Sequence, residues 1–392
     1  MEVKGKILIC AGIFPPEIGG PATYAKLLLE ELPKSGWEVK IVTYGDSKLK
    51  NKKSEKNEGV HIVGKEQNLV FRYLKYFFAV YRLAKWADVV YAQGPVSEGL
   101  PTMLACLLRG KKYILKVVGD YAWEQSCQRF GVNDPLDEFV VKKYSFRVSL
   151  LKKIQSMAAK RAKEVIVPSK YLKGIVMKWG VKEKKITVVY NSFEFPERQA
   201  SKGKLRKKMD MSGIVVVSAG RLVPWKGFKE LVGVVPEVAK KIPDIRLVII
   251  GDGPEKQKIE EQIKKLGLEN RVVLTGRVER KLLLDYLEAG DLFVLNTGYE
   301  GFSHLLMEAM AMEIPVLTTD AGGNVELVEN GENGALIAVG DNEALKENMI
   351  RLCGDSAARW QLAQNAKMKI KEFTRERMLE ETERVLNAMI SK

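Results

Sequence analysis

Cysteine and histidine are scarce in this 392-residue chain, with four of the first and two of the second. Cys10, Cys106, Cys127 and Cys353 lie far apart with no C-x-x-C spacing, so neither a disulfide framework nor a zinc site is expected. Such usage suits a reducing cytoplasm. Long apolar runs are missing too: no stretch approaches the ~18 residues of a membrane-spanning helix. The start, Met1-Glu2-Val3-Lys4-Gly5-Lys6, lacks the apolar length of a signal peptide. What is present is globular composition, 46% apolar and 29% charged, which excludes disorder and collagen-like repeats. The length corresponds to two or three domains at roughly 100–200 residues each.

The formal net charge is +15, and it is unevenly placed. Residues 1–195 hold 34 Lys+Arg against 19 Asp+Glu, whereas residues 196–392 hold 30 of each. A basic half implies an anionic partner (nucleic acid, an acidic lipid surface or a phosphorylated substrate) or else a merely solvated Lys-rich surface.

The chain alternates short apolar strands with helix-length segments. Lys6–Gly12 reads as a buried strand, and the loop Phe14–Pro21 leads into a helical pattern over Ala22–Leu32. Val39–Thr43, Asp88–Ala92, Tyr113–Val118 and Val165–Val167 read as further strands. Residues 194–212 are polar, Lys-rich and aperiodic, as in a linker. A second series then begins with strands at Ile214–Ser218, Arg246–Ile250, Val272–Thr275, Leu292–Leu295 and Pro315–Thr318. This alternation specifies an α/β chain with two doubly wound parallel sheets, whose ligands lie beyond the carboxyl ends of the strands.

Three loops carry candidate chemistry. Gly251-Asp252-Gly253-Pro254 follows a strand, but Lys256 stands where a dinucleotide motif needs its third glycine, so a tight strand-to-helix turn is the preferred reading. Arg221 and Lys226 occupy a Gly/Pro-bounded loop after a strand; they are phosphate-binding candidates, or two surface cations. Glu300 lies on a loop and Glu308 about one turn into a helix capped by Ser303. The amides near Gly301, Phe302 and Ser303 stand at the positive end of that helix, which suits a phosphate, and Glu308 suits a pair of ribose hydroxyls. A capping box would need a glutamate at Leu306, so that alternative fails on spacing.

The motifs G-R-L-x-x-x-K-G at 220–227 and E-G-F-S-x-x-x-x-E-A at 300–309 resemble glycosyltransferase family 4. The likeness extends to Gly19-Gly20, V-I-V-P-S-K at 165–170, V-V-Y-N-S at 188–192 and A-G-G-N-V-E-L-V at 321–328. It implies a GT-B fold: two Rossmann-like domains facing across a cleft. Residues 1–195, joined by a C-terminal helix within 374–392, would bind the acceptor, and residues 196–373 the nucleotide-sugar donor. The implied activity is retaining sugar transfer from a nucleoside-diphosphate sugar to a hydroxyl acceptor such as a lipid-linked or polysaccharide intermediate. Arg221 and Lys226 would hold the diphosphate, Glu308 the ribose and Glu300 the transferred sugar. Gly19 and Gly20 would let the first loop approach the phosphate, and Gly301, Phe302 and Ser303 would offer backbone donors. No D-x-D motif occurs in the chain, and neither a metal nor an organic cofactor is expected. A nucleotide-sugar epimerase or phosphorylase on the same fold is the alternative; a nucleic-acid-binding protein would explain the charge, but no nucleic-acid motif accompanies it.

One departure stands out. Family members often carry a histidine after the strand equivalent to Lys116–Val118, where this chain has Gly119-Asp120 and its histidines are His61 and His304. Asp120 is the local polar substitute, as a hydroxyl acceptor or as a loop-structural residue. Residues 69–86 read as a helix with Arg72, Lys75, Arg82 and Lys85 within a sector of about 140° at ~100° per residue. With the second basic region at Lys142–Arg161, this helix fits peripheral binding to an anionic membrane, or an ordinary sheet-covering helix with snorkelling cations.

Overall fold

The computed structural model describes residues 4–17, 19–46, 59–193 and 200–390. The chain divides into two compact units, Met1–Tyr190 with Glu376–Lys392, and Asn191–Arg375.

The N-terminal unit is built on seven parallel strands: β1 (Gly5–Ala11), β2 (Trp37–Gly45), β3 (Val60–Gly64), β4 (Val89–Ala92), β5 (Tyr113–Lys116), β6 (Glu164–Val167) and β7 (Ile186–Val188). Their order is β3-β2-β1-β4-β5-β6-β7. Helices cover the sheet, so its central strands are apolar on both faces; Ile7, Leu8, Ile9 and Cys10 are all fully buried. The C-terminal helix Arg375–Ile390 belongs to this unit, placing Met378, Val385 and Leu386 against Ala25, Leu28 and Ile9.

The C-terminal unit has six parallel strands: β8 (Ile214–Ala219), β9 (Ile245–Ile250), β10 (Val272–Gly276), β11 (Leu292–Leu295), β12 (Val316–Thr319) and β13 (Ala335–Ile337), in the order β10-β9-β8-β11-β12-β13. Its core joins Val216, Leu247, Ile249 and Val294 to Leu231, Val235 and Met349 of the covering helices.

In both sheets the strand order reverses once, between β1 and β4 in the first and between β8 and β11 in the second. At such a switch the loops leave in opposite directions and open a crevice at the carboxyl ends of the strands. The loops after β1, β4, β8 and β11 are therefore the ones placed to meet ligands.

The linker reading of 194–212 needs correction. Residues 194–199 lie outside the described residues, but Lys202–Lys208 is a helix of the C-terminal unit. Leu205 is buried, and Lys202 and Arg206, one turn apart, both bond Asp291. Asp291 also accepts the Val215 amide at 2.8 Å, so a single carboxylate ties this helix to the start of β8. Lysines that look solvated in the sequence are anchors here.

Candidate active site

The loops after β8 and β11 carry the two motifs, and backbone contacts stitch them together. Gly227 lies in the left-handed region at φ 59°, and a side chain there would meet the Asn296 carbonyl at 1.9 Å. Asn296 Nδ2 donates to the Gly227 carbonyl at 3.1 Å, and the Gly298 amide donates to the Trp225 carbonyl at 2.6 Å. Thr297 Oγ1 donates to the same Trp225 carbonyl at 3.2 Å. The turn Gly251–Gly253 supports the first loop from its other side: the Leu222 amide donates to the Asp252 carbonyl, and a Cβ at Gly251 would lie 1.8 Å from the Gly220 carbonyl. Those glycines serve close packing of backbone on backbone, in keeping with the turn reading of this segment.

This frame brings Lys226 and Glu300 into a largely buried ion pair. Arg221 stands exposed on the same loop, carried by the buried Leu222 and Val223. On the β11 side, Gly301, Phe302 and Ser303 are buried at the start of the helix His304–Ala311. Ser303 caps it, its hydroxyl accepting the Leu306 amide at 3.4 Å. Glu308 lies one turn further, 9% exposed, with Arg280 Nη2 3.1 Å from its carboxylate. Burial raises the Glu308 carboxyl above the usual range, and Arg280 opposes the rise. Gly323 packs on this loop, its amide donating to the Glu300 carbonyl at 2.9 Å; a Cβ there would come within 2.3 Å of the Gly301 carbonyl.

Arg221, Lys226, Glu300, Gly301, Phe302, Ser303 and Glu308 are thus gathered at the β8/β11 switch of one sheet. The arrangement offers cations and a helix start to an anion, with two carboxylates able to accept hydroxyl groups. A cavity of about 820 Å³ in the same unit lies elsewhere: Asp291 and Pro315, which line it, precede β11 and β12 at the opposite sheet edge.

Two family models match the chain, one described as glycosyl transferases group 1 over residues 199–369 and the other as glycosyltransferase family 4 over residues 18–194. The chain belongs to glycosyltransferase family 4. This glycosyltransferase is 26% identical to the capsular polysaccharide biosynthesis glycosyltransferase CapM of Staphylococcus aureus, over 92% of this chain and 93% of that one. It is 34% identical to a 2-deoxystreptamine N-acetyl-D-glucosaminyltransferase of Niallia circulans, over 36% of this chain and 37% of that one. Among solved structures, Anabaena HepE in complex with UDP and glucose superposes with a TM-score of 0.78 at 22% identity, covering 99% of this chain and all of that one. Sucrose-phosphate synthase from Thermosynechococcus elongatus gives 0.79 at 19% identity, covering 99% of each. These neighbours establish the GT-B fold of the glycosyltransferase.

The remaining candidate residues stand in the N-terminal unit. Gly19 caps and Gly20 begins the helix Gly20–Glu31, beyond the carboxyl end of β1. Asp120 does not occupy a substrate-facing position. It is fully buried and caps the helix Tyr121–Arg129, accepting from the Trp123 amide at 2.9 Å, Gln155 Nε2 at 2.9 Å and Trp179 Nε1 at 3.1 Å. Fully buried and bonded by three internal donors, its carboxylate is used by the fold, and the hydroxyl-acceptor role is withdrawn.

Two polar residues of this glycosyltransferase were not legible in the sequence, Arg280 and Lys116. Arg280 was invisible because its partner is 28 positions away in sequence, on another helix. Lys116 ends β5 buried, its ammonium 3.5 Å over the Tyr24 ring; burial lowers its pKa, and Tyr24 opposes the fall. A lysine in an apolar strand, Tyr113-Ile114-Leu115-Lys116, was the available signal.

Proposed function

We propose that this glycosyltransferase moves a sugar, with retention at its anomeric carbon, from a nucleoside-diphosphate sugar to a hydroxyl acceptor. The observation that carries this reading is the gathering of Arg221, the Lys226–Glu300 pair and the Ser303-capped helix at one switch point. A departing diphosphate develops negative charge, which fixed cations and helix-start amides stabilise without reorganising. Arg221 offers a planar fork to phosphate oxygens and Lys226 a compact charge. When diphosphate draws Lys226 away, Glu300 is released to accept the hydroxyls of the transferred sugar. Glu308 takes the ribose hydroxyls, its carboxylate paired with Arg280. These groups meet the leaving charge with no metal, so chelation with EDTA leaves turnover unchanged.

Retention rests on family membership, and the donor class on the chemistry of the loops together with the UDP and UDP–glucose complexes named for HepE. Relatives named for capsular polysaccharide and lipopolysaccharide core synthesis support an acceptor on a growing or lipid-linked glycan. A thermal-shift screen of uridine, guanosine and adenosine diphosphates tests the donor class, since stabilisation scales with ligand over Kd. Stabilisation by none of them overturns the reading. Release of nucleoside diphosphate only when acceptor is added excludes an epimerase, and an inverted anomer in the product removes retention.

The acceptor class suggests a membrane surface, and the N-terminal unit carries a suitable face. No helix among the described residues is long and apolar enough to cross a membrane. The helix Leu69–Leu83 turns Tyr76, Val80 and Leu83 to the core but exposes Phe71, Leu74 and Phe78 among Lys75 and Arg82. The helix Gly99–Arg109 lies beside it, Arg109 stacked 3.7 Å from the Tyr81 ring, and exposes Leu107 and Leu108. Apolar and cationic side chains on one solvent face suit a lipid headgroup layer. Co-sedimentation with vesicles tests this: binding to anionic vesicles and not to neutral ones is expected, and equal binding to both, or none, rejects it.

A further inference from the structure

Glu300 finds its cation inside the two motifs, in Lys226, but Glu308 does not. Arg280 begins the helix Arg280–Ala289, which follows β10, and Glu308 lies on the helix that follows β11. In the sheet, β10 and β11 are separated by β9 and β8, so this ion pair reaches across the carboxyl edge of two intervening strands. Arg280 Nη2 lies 3.1 Å from Glu308 Oε1, the arginine side chain half-exposed and the glutamate side chain 11% exposed. Among the described residues no other side chain pairs with this carboxylate. Each carboxylate oxygen carries two lone pairs, so Oε2 and half of Oε1 remain for hydroxyl donors.

The elements packed against Glu308 supply no second charge. β11 and β12 hold no ionisable side chain. On the neighbouring helix Ser356–Ile370 the cations are engaged elsewhere: Arg359 with the Leu352 and Cys353 carbonyls, Lys367 with Glu313 and Lys369 with Glu329. Burial works against the charged form of Glu308, and Arg280 is the group that opposes it. The charge matters to a sugar ligand, because a hydroxyl bonds an ionised carboxylate about twice as strongly as a neutral one.

We propose that Arg280 is a positioning residue of the donor site: paired with one oxygen of Glu308, it keeps that side chain a fixed, charged acceptor for the two ribose hydroxyls. Arg280 acts through Glu308 and stays paired while the nucleotide binds. A cation from a separate loop does this without crowding the diphosphate, which Arg221 and Lys226 serve. The role rests on the ribose reading of Glu308; the state of the carboxyl in the ligand-free chain is tested separately from it.

In the full ligand-free chain, carbon-13 NMR of labelled glutamate titrates the Glu308 carboxyl, its resonance assigned by its loss in Glu308→Gln. Arg280→Met should move the midpoint upward by about one pH unit or more, and Arg280→Lys should bring it back. Calorimetry with UDP reads the consequence. Arg280→Met should weaken UDP binding by about tenfold at pH 6 and by much less at pH 8.5, with Arg280→Lys restoring it. Added to Glu308→Gln, Arg280→Met should change UDP affinity no further. Circular dichroism checks folding, and Arg280→Gln replaces the methionine variant if that one does not fold. An unmoved midpoint overturns the proposal. So does equal weakening at both pH values, which marks a direct contact, or tighter UDP binding, which marks a competitor. If Glu308→Gln binds UDP as the native chain does, or the native chain binds none, the ribose reading fails and the titration alone decides whether Arg280 sets the charge of Glu308.

Discussion

At the scale of single residues, carboxylates in this chain are sorted by what surrounds them. Asp120 has three internal donors and belongs to the fold; Glu308 has one half-exposed arginine and is open to exchange. Asp120→Ala removes a helix cap and orphans two buried side-chain donors, an expected loss of about 2–4 kcal/mol read by denaturant unfolding. A change of a few tenths would mean that the carboxylate does not hold the fold. Glu308→Ala should weaken nucleoside-diphosphate binding by about 1–3 kcal/mol in calorimetry, through lost hydrogen bonds to a charged group. Unchanged affinity removes the ribose role. Lys226→Ala should lower turnover by about 10²-fold, the usual scale for one oxyanion-stabilising donor, with a smaller relative change in stability.

Elements place these residues by backbone contact more than by side-chain chemistry. The loop holding Arg221 and Lys226 is wedged between the turn after β9 and the loop after β11. Gly251→Ala puts a Cβ 1.8 Å from the Gly220 carbonyl at a backbone φ of 148°, so the loop after β8 must shift. We expect a stability loss of about 3 kcal/mol or more and a fall in turnover beyond what the unfolded fraction explains. Full activity in the folded variant would show that this support is not needed. The helix Lys202–Lys208 carries the same lesson: its anchor is a carboxylate more than eighty positions away, which no local pattern reveals.

For the molecule as a whole, two buried carboxylates pull the pH dependence of stability in opposite directions. Burial pushes Asp291 upward, but Lys202, the Val215 amide and Arg206 together hold it below its ordinary value. Its contribution is present above the unfolded-state pKa and is lost in acid, as pH falls through the lower folded value. Glu98 does the reverse. Its folded value of about 7 exceeds the ordinary 4.5, so the folded state holds the extra proton and stability declines as pH rises between the two. Glu98→Gln abolishes that decline: it should stabilise the chain at pH 8 by up to about 3 kcal/mol and leave it nearly unchanged at pH 4. Equal effects at both pH values would show that burial does not raise the Glu98 carboxyl.

The primary structure alone determined the two-sheet α/β class, because short apolar runs alternating with helix-length segments admit few other folds. It also marked Arg221, Lys226, Glu300 and Glu308, whose spacing sets them on loops after strands or one turn into a helix. The chain folding back on itself decided the rest. Asp120 and Gln93 are both polar residues just past a strand, indistinguishable by pattern. One meets three donors and the other none, because two of those donors, Gln155 and Trp179, come from 35 and 59 positions further along. Partnership inside a core is a property of packing, and packing is long-range.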